Sequence, residues 1–240
     1  MSIEKYMAKI EELFLENKMS FYSNKMSASN YLKITDKYKK NFSKQFIIKN
    51  YGSFIGDRSF YKLLICLELL EKTKKVKGDV IEFGIWNGNN LLTMKKILDY
   101  FQQKKKLIGY DHFKGMPKNL QKNNFRGDID LINYFVKFFK LKKISIINDD
   151  IMNLNKYLKS FKKFSFIYID CDIYKTTKII LENLSKKLSR GGLIVFDEGN
   201  QRKQSGETKA MKEFFEKNKK NYKKFYLKKG YQPDVYLKKI

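Results

Sequence analysis

Acidic residues recur in this chain where an apolar run gives way to a turn. Asp111 follows KLIGY, Asp149 and Asp150 follow ISIIN, Asp170 follows FSFIYI and Asp197 follows GLIVF, while Glu82 lies within the end of GDVIEFG. Short apolar runs separated by helix-length stretches predict parallel strands covered on both faces. The carboxyl ends of such strands line the ligand crevice, so the carboxylates at these five strand ends are expected to converge there. A single acid in this position often does no more than cap the next helix. Five in register point to a binding site.

The first group is built around Glu82-Phe83-Gly84-Ile85-Trp86-Asn87-Gly88, followed by Asn89 and Asn90. Glycines after a strand and before a helix let the backbone approach a ligand closely. The third glycine of the dinucleotide fingerprint is missing, as is the Gly-Lys-Ser/Thr of a P-loop, so neither NAD nor ATP is the natural ligand. Glu82 suits a cofactor with a cationic amino group better than one presenting a pyrophosphate. Asp111 ends the second strand, where an acid accepts hydrogen bonds from ribose hydroxyls. Asp149 or Asp150 could meet an adenine amino group, or either could cap the helix that follows.

The second group is Asp170-Cys171-Asp172 with Asp197-Glu198. Like charges on adjacent strand ends repel, and a divalent cation would offset that repulsion. Oxygen donors favour magnesium, manganese or calcium over zinc, and His112 is the only histidine. Asp170, Asp197 and Glu198 are the expected ligands, with Asn200 or Asp172 as substitutes. The competing reading has these acids capping helices and pairing with nearby lysines.

The elements that must hold these groups alternate along the chain. Expected strands cover 77–84, 106–111, 144–147, 164–170 and 192–198; expected helices cover 60–70, 91–101, 131–140, 176–188 and 207–219. Arg190-Gly191-Gly192 is read as the stop of the helix at 176–188. Two alternating runs around Gly-Tyr-Gln-Pro233-Asp suggest an antiparallel pair at the sheet edge. Ahead of this domain, taken as 57–240, residues 1–56 are expected to form a helical cap. Ile3, Tyr6, Met7, Ile10, Leu13 and Phe14 give 1–18 an amphipathic face through which two copies could pair, and 19–56 could form a lid. The whole is one domain, with two cysteines that make no disulfide framework.

Fifty-one Lys plus Arg against twenty-five Asp plus Glu give a net charge of +26, which raises the question of a nucleic-acid partner. The excess is almost all lysine, in dispersed doublets, with arginine only at 58, 126, 190 and 202. The forks that read bases are nearly absent. The charge is read as a solvated basic face that could steer an anionic substrate, not as a nucleic-acid site. No uncharged apolar window is long enough for a membrane span or a secretory signal, so a cytoplasmic protein is expected.

Four blocks in order resemble the macrocin O-methyltransferase family: Gly78-Asp-Val-Ile-Glu-Phe-Gly-Ile-Trp-Asn-Gly, Tyr110-Asp-His-Phe-Lys-Gly-Met-Pro, Ile169-Asp-Cys-Asp-Ile-Tyr and Gly191-Gly-Leu-Ile-Val-Phe-Asp-Glu. The resemblance covers about 57–216. It implies a class I, Rossmann-like methyltransferase fold, S-adenosylmethionine as cofactor, a magnesium-type metal, and a sugar hydroxyl as acceptor, carried on a nucleotide or a surface (capsular) polysaccharide precursor. By motif, Glu82, Phe83, Gly84, Trp86 and Gly88 would hold the methionine end and Asp111 the ribose. Asp170, Asp197 and Glu198 would hold Mg2+ or Mn2+. Two departures stand out: Asp111-His112-Phe113-Lys114 where the family commonly has Asp-Ser or Asp-Thr before Phe-Glu, and Asp197-Glu198 where it usually has two aspartates.

Methyl transfer to an alcohol needs in-line approach and removal of a proton. Candidate bases are His112, Lys175 and a carboxylate such as Asp170. Arg202 and Lys203 lie where they could attract the phosphates of a nucleotide-linked sugar. An N-methyltransferase acting on an amino sugar and a non-catalytic basic binding protein are the rival readings. Asp170-Cys-Asp-Ile-Tyr is unlike the Pro-Pro signature of nucleic-acid methyltransferases.

Overall fold

The structure is a computed structural model that describes residues 57–116, 125–200, 205–227 and 232–240. The chain divides into two compact units, Met1–Lys62 and Leu63–Ile240. The expected N-terminal helix and lid, and Arg202 with Lys203, lie outside the described residues.

The strands are β1 (Asp79–Phe83), β2 (Leu107–Asp111), β3 (Ile144–Asn148), β4 (Phe164–Ile169), β5 (Leu188–Phe196), β6 (Tyr222–Tyr226) and β7 (Val235–Lys239). The helices are α1 (Asp57–Lys72), α2 (Asn89–Tyr100), α3 (Ile129–Phe138), α4 (Tyr174–Leu184) and α5 (Gly206–Asn218), with a 3-10 helix at Ile151–Tyr157. One seven-stranded sheet has the order β3-β2-β1-β4-β5-β7-β6. The first five strands in that order run parallel. β7 then pairs antiparallel to β5 and to β6, which makes the C-terminal pair the sheet's antiparallel edge.

Period-two alternation splits the core. Val80, Phe166, Tyr168 and Val195 pack with α1, α2 and α3, whereas Ile81, Phe83, Ile167 and Ile169 pack with α4 and α5. Both faces of β4 are therefore apolar, and all six of its residues are buried. The chain moves outward from β1 to β3 and returns to β4, so the connections diverge on either side of the β1–β4 pair. Such a switch point opens a crevice at the strands' carboxyl ends.

One boundary differs from the sequence expectation. α4 ends at Leu184, a 3-10 turn covers Ser185–Lys187, and Leu188 already pairs with Phe164 in β5. Leu188 is a buried core residue, and Gly191, at φ 79, lies where the β4–β5 register shifts. A bulge thus absorbs Arg190-Gly191-Gly192, residues that composition alone presents as a helix stop.

At the switch point the backbone of β4 runs against the turn after β1. A Cβ on Gly84, whose φ is 80, would lie 1.8 Å from the carbonyl oxygen of Asp170. Gly84→Ala is therefore expected to cost about 3 kcal/mol or more, through overlap and backbone strain together. Thermal unfolding checks this; a melting temperature within a degree of wild type would refute the close approach.

Candidate functional site

Glu82 lies in β1, 1% exposed. Its Oε1 accepts a hydrogen bond from Asn90 Nδ2 at 2.8 Å, and Asn90 Oδ1 accepts one from the Cys66 thiol at 3.4 Å. Cys66 comes from α1 and Asn90 from the first turn of α2, so two helices orient the carboxylate. Phe83 points the other way, into the core against Tyr110.

The turn after β1 is held by backbone conformations that favour glycine. Gly88, at φ 77, caps α2, and a Cβ there would meet Ile132 Cγ1 at 2.9 Å. Trp86, at φ 45, donates its backbone N–H to Asp111 Oδ2 at 2.9 Å. Asp111 Oδ1 accepts from the N–H of Phe113 at 2.8 Å and lies 3.5 Å from His112 Nδ1. Burial alone would raise the Asp111 carboxyl. His112 and the N–H groups of Phe113 and Trp86 outweigh that and hold it below the usual carboxylate range. Asp111 thus stays ionised and acceptor-only, suited to receiving hydroxyl donors.

The segment 125–128 closes over this turn. Trp86 Nε1 donates to the Arg126 carbonyl at 3.2 Å, the N–H of Asp128 donates to Asn87 Oδ1 at 3.0 Å, and the rings of Trp86 and Phe125 meet edge to face. Gly127 permits the approach, since a Cβ there would lie 2.3 Å from the Trp86 carbonyl. The sequence reading named Asn87 and Asn90 only as members of the turn motif, without a role, and did not single out the segment 125–128.

At the end of β3, Asp149 accepts from the Asp150 N–H, Asn153 Nδ2 and the Tyr157 hydroxyl, and Asp150 caps the 3-10 helix through the Met152 N–H. Hydrogen bonds from Asn153 and Tyr157 lower the Asp149 carboxyl. Asp150 is thus the cap of the 3-10 helix, while Asp149 is tied to side chains that the same helix presents.

At the ends of β4 and β5, Asp170 is half-buried and its N–H donates to the Phe83 carbonyl at 2.9 Å. Asp197 is 3% exposed and its Oδ1 accepts from the buried Tyr168 hydroxyl at 2.5 Å. Glu198 Oε1 accepts from Gln232 Nε2 at 3.0 Å, and Asp234 accepts from the N–H of Asn200. Burial, then the charge of Asp197, raises the Glu198 carboxyl. Lys175 is exposed on the first turn of α4. The metal implied by the family can be tested against these positions. Among the described residues, no group of three or more His, Cys, Asp or Glu side chains is arranged to hold a cation. Asp170, Asp197 and Glu198 occupy adjacent strand ends without forming a ligand set, and in this conformation they do not fit a metal ion.

A crevice at a β1–β4 switch point, with an acid inside β1, another ending β2 and an antiparallel β7, is the arrangement of the class I methyltransferase fold. A TDP-rhamnose 3'-O-methyltransferase of calicheamicin biosynthesis shares this fold, with a TM-score of 0.68 and 19% identity over 88% of this chain and 93% of that one. Residues 7–224 match the model of the macrocin-O-methyltransferase (TylF) family, and the chain belongs to that family. A tetracenomycin-C rhamnosyl 4'-O-methyltransferase from Streptomyces olivaceus is 24% identical over 61% of this chain and 62% of its own length. The mycinamicin III 3''-O-methyltransferase of Micromonospora griseorubida is 22% identical over 61% and 64%. The match thus spans less than two thirds of either relative. Among the described residues, no helix is long and apolar enough to cross a membrane.

Because His112 is the only histidine, its titration can be read directly by NMR. The bond to Asp111 raises it above its ordinary 6.5, against the opposing effect of burial. A raised folded value means that the pair stabilises the fold fully below about 6.5 and loses that contribution as pH rises through the folded value. Asp111→Asn is expected to bring the His112 titration down towards 6.5 and remove this pH dependence; an unchanged midpoint would show that the pair does not form.

Proposed function

We propose that this protein transfers a methyl group from S-adenosylmethionine to a hydroxyl of a sugar, carried on a nucleotide or on a surface polysaccharide precursor. The observation that carries the reading is Glu82, a buried carboxylate beside the Gly84–Gly88 turn and one strand from Asp111. A carboxylate deep in the crevice suits the ammonium of a methionine moiety, and Asp111, with N–H groups on both oxygens, has lone pairs left for ribose hydroxyls. Family membership and the names of the relatives, a rhamnosyl-tetracenomycin-C 4'-O-methyltransferase and a mycinamicin III 3''-O-methyltransferase, support the acceptor class. The solved relative's TDP-rhamnose supports a nucleotide-linked sugar.

On this reading S-adenosylmethionine supplies the electrophilic methyl, and the protein aligns the acceptor oxygen and takes its proton. Asp170 is the preferred base, because its backbone abuts the cofactor turn at Gly84 and its side chain is half-buried. His112 faces Asp111, which suits support of the ribose-binding acid more than proton removal. Magnesium or manganese would offset the like charge of Asp170, Asp197 and Glu198. Binding either would require these carboxylates to draw together from the positions they take among the described residues.

Calorimetric titration with S-adenosylmethionine, with and without magnesium or manganese, tests the cofactor. Micromolar binding is expected, weakened about tenfold or more, at least 1.4 kcal/mol, by Glu82→Gln. Nucleotide-linked sugars, beginning with TDP-rhamnose, are then screened by mass for gain of one methyl group. No cofactor binding under any metal condition would overturn the reading.

A further inference from the structure

Glu207, in the first turn of α5, is 0% exposed and has no part in the mechanism above. Its carboxylate spans two loops. Oε1 accepts the N–H of Glu198 at 2.9 Å, while Oε2 accepts those of Cys171 at 3.1 Å and Asp172 at 3.4 Å. Its own N–H donates to the Asp172 carbonyl at 3.2 Å. One residue thus holds the chain just beyond Asp170 and just beyond Asp197.

The surroundings are shaped for this contact. Gly206 lets α5 press on the β4–α4 loop, where a Cβ would lie 2.3 Å from the Tyr174 nitrogen and 2.7 Å from the Asp172 carbonyl. Asp172 is at φ 56, a conformation a non-glycine residue keeps only when its neighbours determine it, and Glu207 binds both its N–H and its carbonyl. From the same turn of α5, the hydroxyls of Ser205 and Thr208 donate to the Glu198 carbonyl at 3.1 and 2.5 Å. Burial, then Asp170, pushes the Glu207 carboxyl well up, so the contact is kept against an electrostatic cost.

We propose that Glu207 is a positioning residue that locks the β4 and β5 ends against each other and so fixes where Asp170, Asp197 and Glu198 stand relative to the bound cofactor. The inference rests on the methyltransferase reading. A glutamine in its place keeps one acceptor but turns an N–H donor towards a backbone N–H, while an aspartate keeps the charge but lacks the reach.

The test compares full-length wild type, Glu207→Gln and Glu207→Asp. Hydrogen exchange at the amides of 171, 172 and 198 reads the lock, calorimetry reads S-adenosylmethionine affinity, and kcat and KM are measured on the acceptor found in the screen. Expected are faster exchange at these amides, cofactor affinity within about twofold of wild type, and kcat lower by about 10- to 100-fold, the scale of a small misplacement. If Glu207→Gln does not fold, Glu207→Asp decides by the same criteria. Unchanged exchange overturns the lock. Faster exchange with kcat unchanged, or kcat falling together with cofactor affinity, overturns the positioning role. Wild type that transfers no methyl to any acceptor overturns the underlying reading instead, and the role falls with it.

Discussion

The candidate site depends on one close contact, the Asp170 carbonyl lying where a side chain on residue 84 would have to be. With glycine there, β1 and β4 can stay in register up to their carboxyl ends, from Val80–Phe166 to Phe83–Ile169. The turn after β1 then leaves the sheet beside the end of β4, not above it. Two groups of acids that are far apart in sequence thereby share one crevice. The sheet order puts that crevice at the point where the chain reverses direction across the sheet, and the helices on both faces only have to fill the space behind it.

The acids create one continuous negative field. Its reach shows at Cys171, whose thiol is pushed well up, first by burial and then by Glu207, Asp170, Asp111 and Asp172. Those four carboxylates come from α5, the end of β4 and β2 and the loop after β4. A thiol held in its protonated form makes a poor nucleophile, so Cys171 acts as a packing residue despite its central place. Backbone N–H groups, the Tyr168 hydroxyl and the Gln232 amide keep the cluster tolerable by donating to it.

The strands and their terminal acids were legible because each depends on local pattern: an apolar run, a turn and a carboxylate at the boundary. The antiparallel C-terminal edge was legible for the same reason, from two alternating runs about a break. What escaped the sequence reading depends on which distant segments meet. Asn90 matters because Cys66 and Glu82 lie either side of its amide, and Glu207 because two loops well separated in sequence present their N–H groups to it. Gln232 and Asp234 reach the end of β5 only because β7 inserts between β5 and β6. The bulge at Arg190-Gly191-Gly192 was hidden because glycine after a helix is as good a stop signal as it is a bulge former.

The chain's overall charge and the charge of its crevice have opposite signs, and distance decides which one a ligand feels. Lysines dominate the surface and give +26, but ionic screening reduces their field over about 8 Å at physiological salt. On the proposed function, an anionic acceptor would meet a positive protein far from the site, and a cofactor inside the crevice would meet carboxylates at contact range. In the proposed reaction the sulfonium is positive and its demethylated product is not, so the same field holds the reactant more strongly than the product. The acids crowded at the ends of β1, β2, β4 and β5 would then favour cofactor exchange after transfer, a role that needs the field to stay negative.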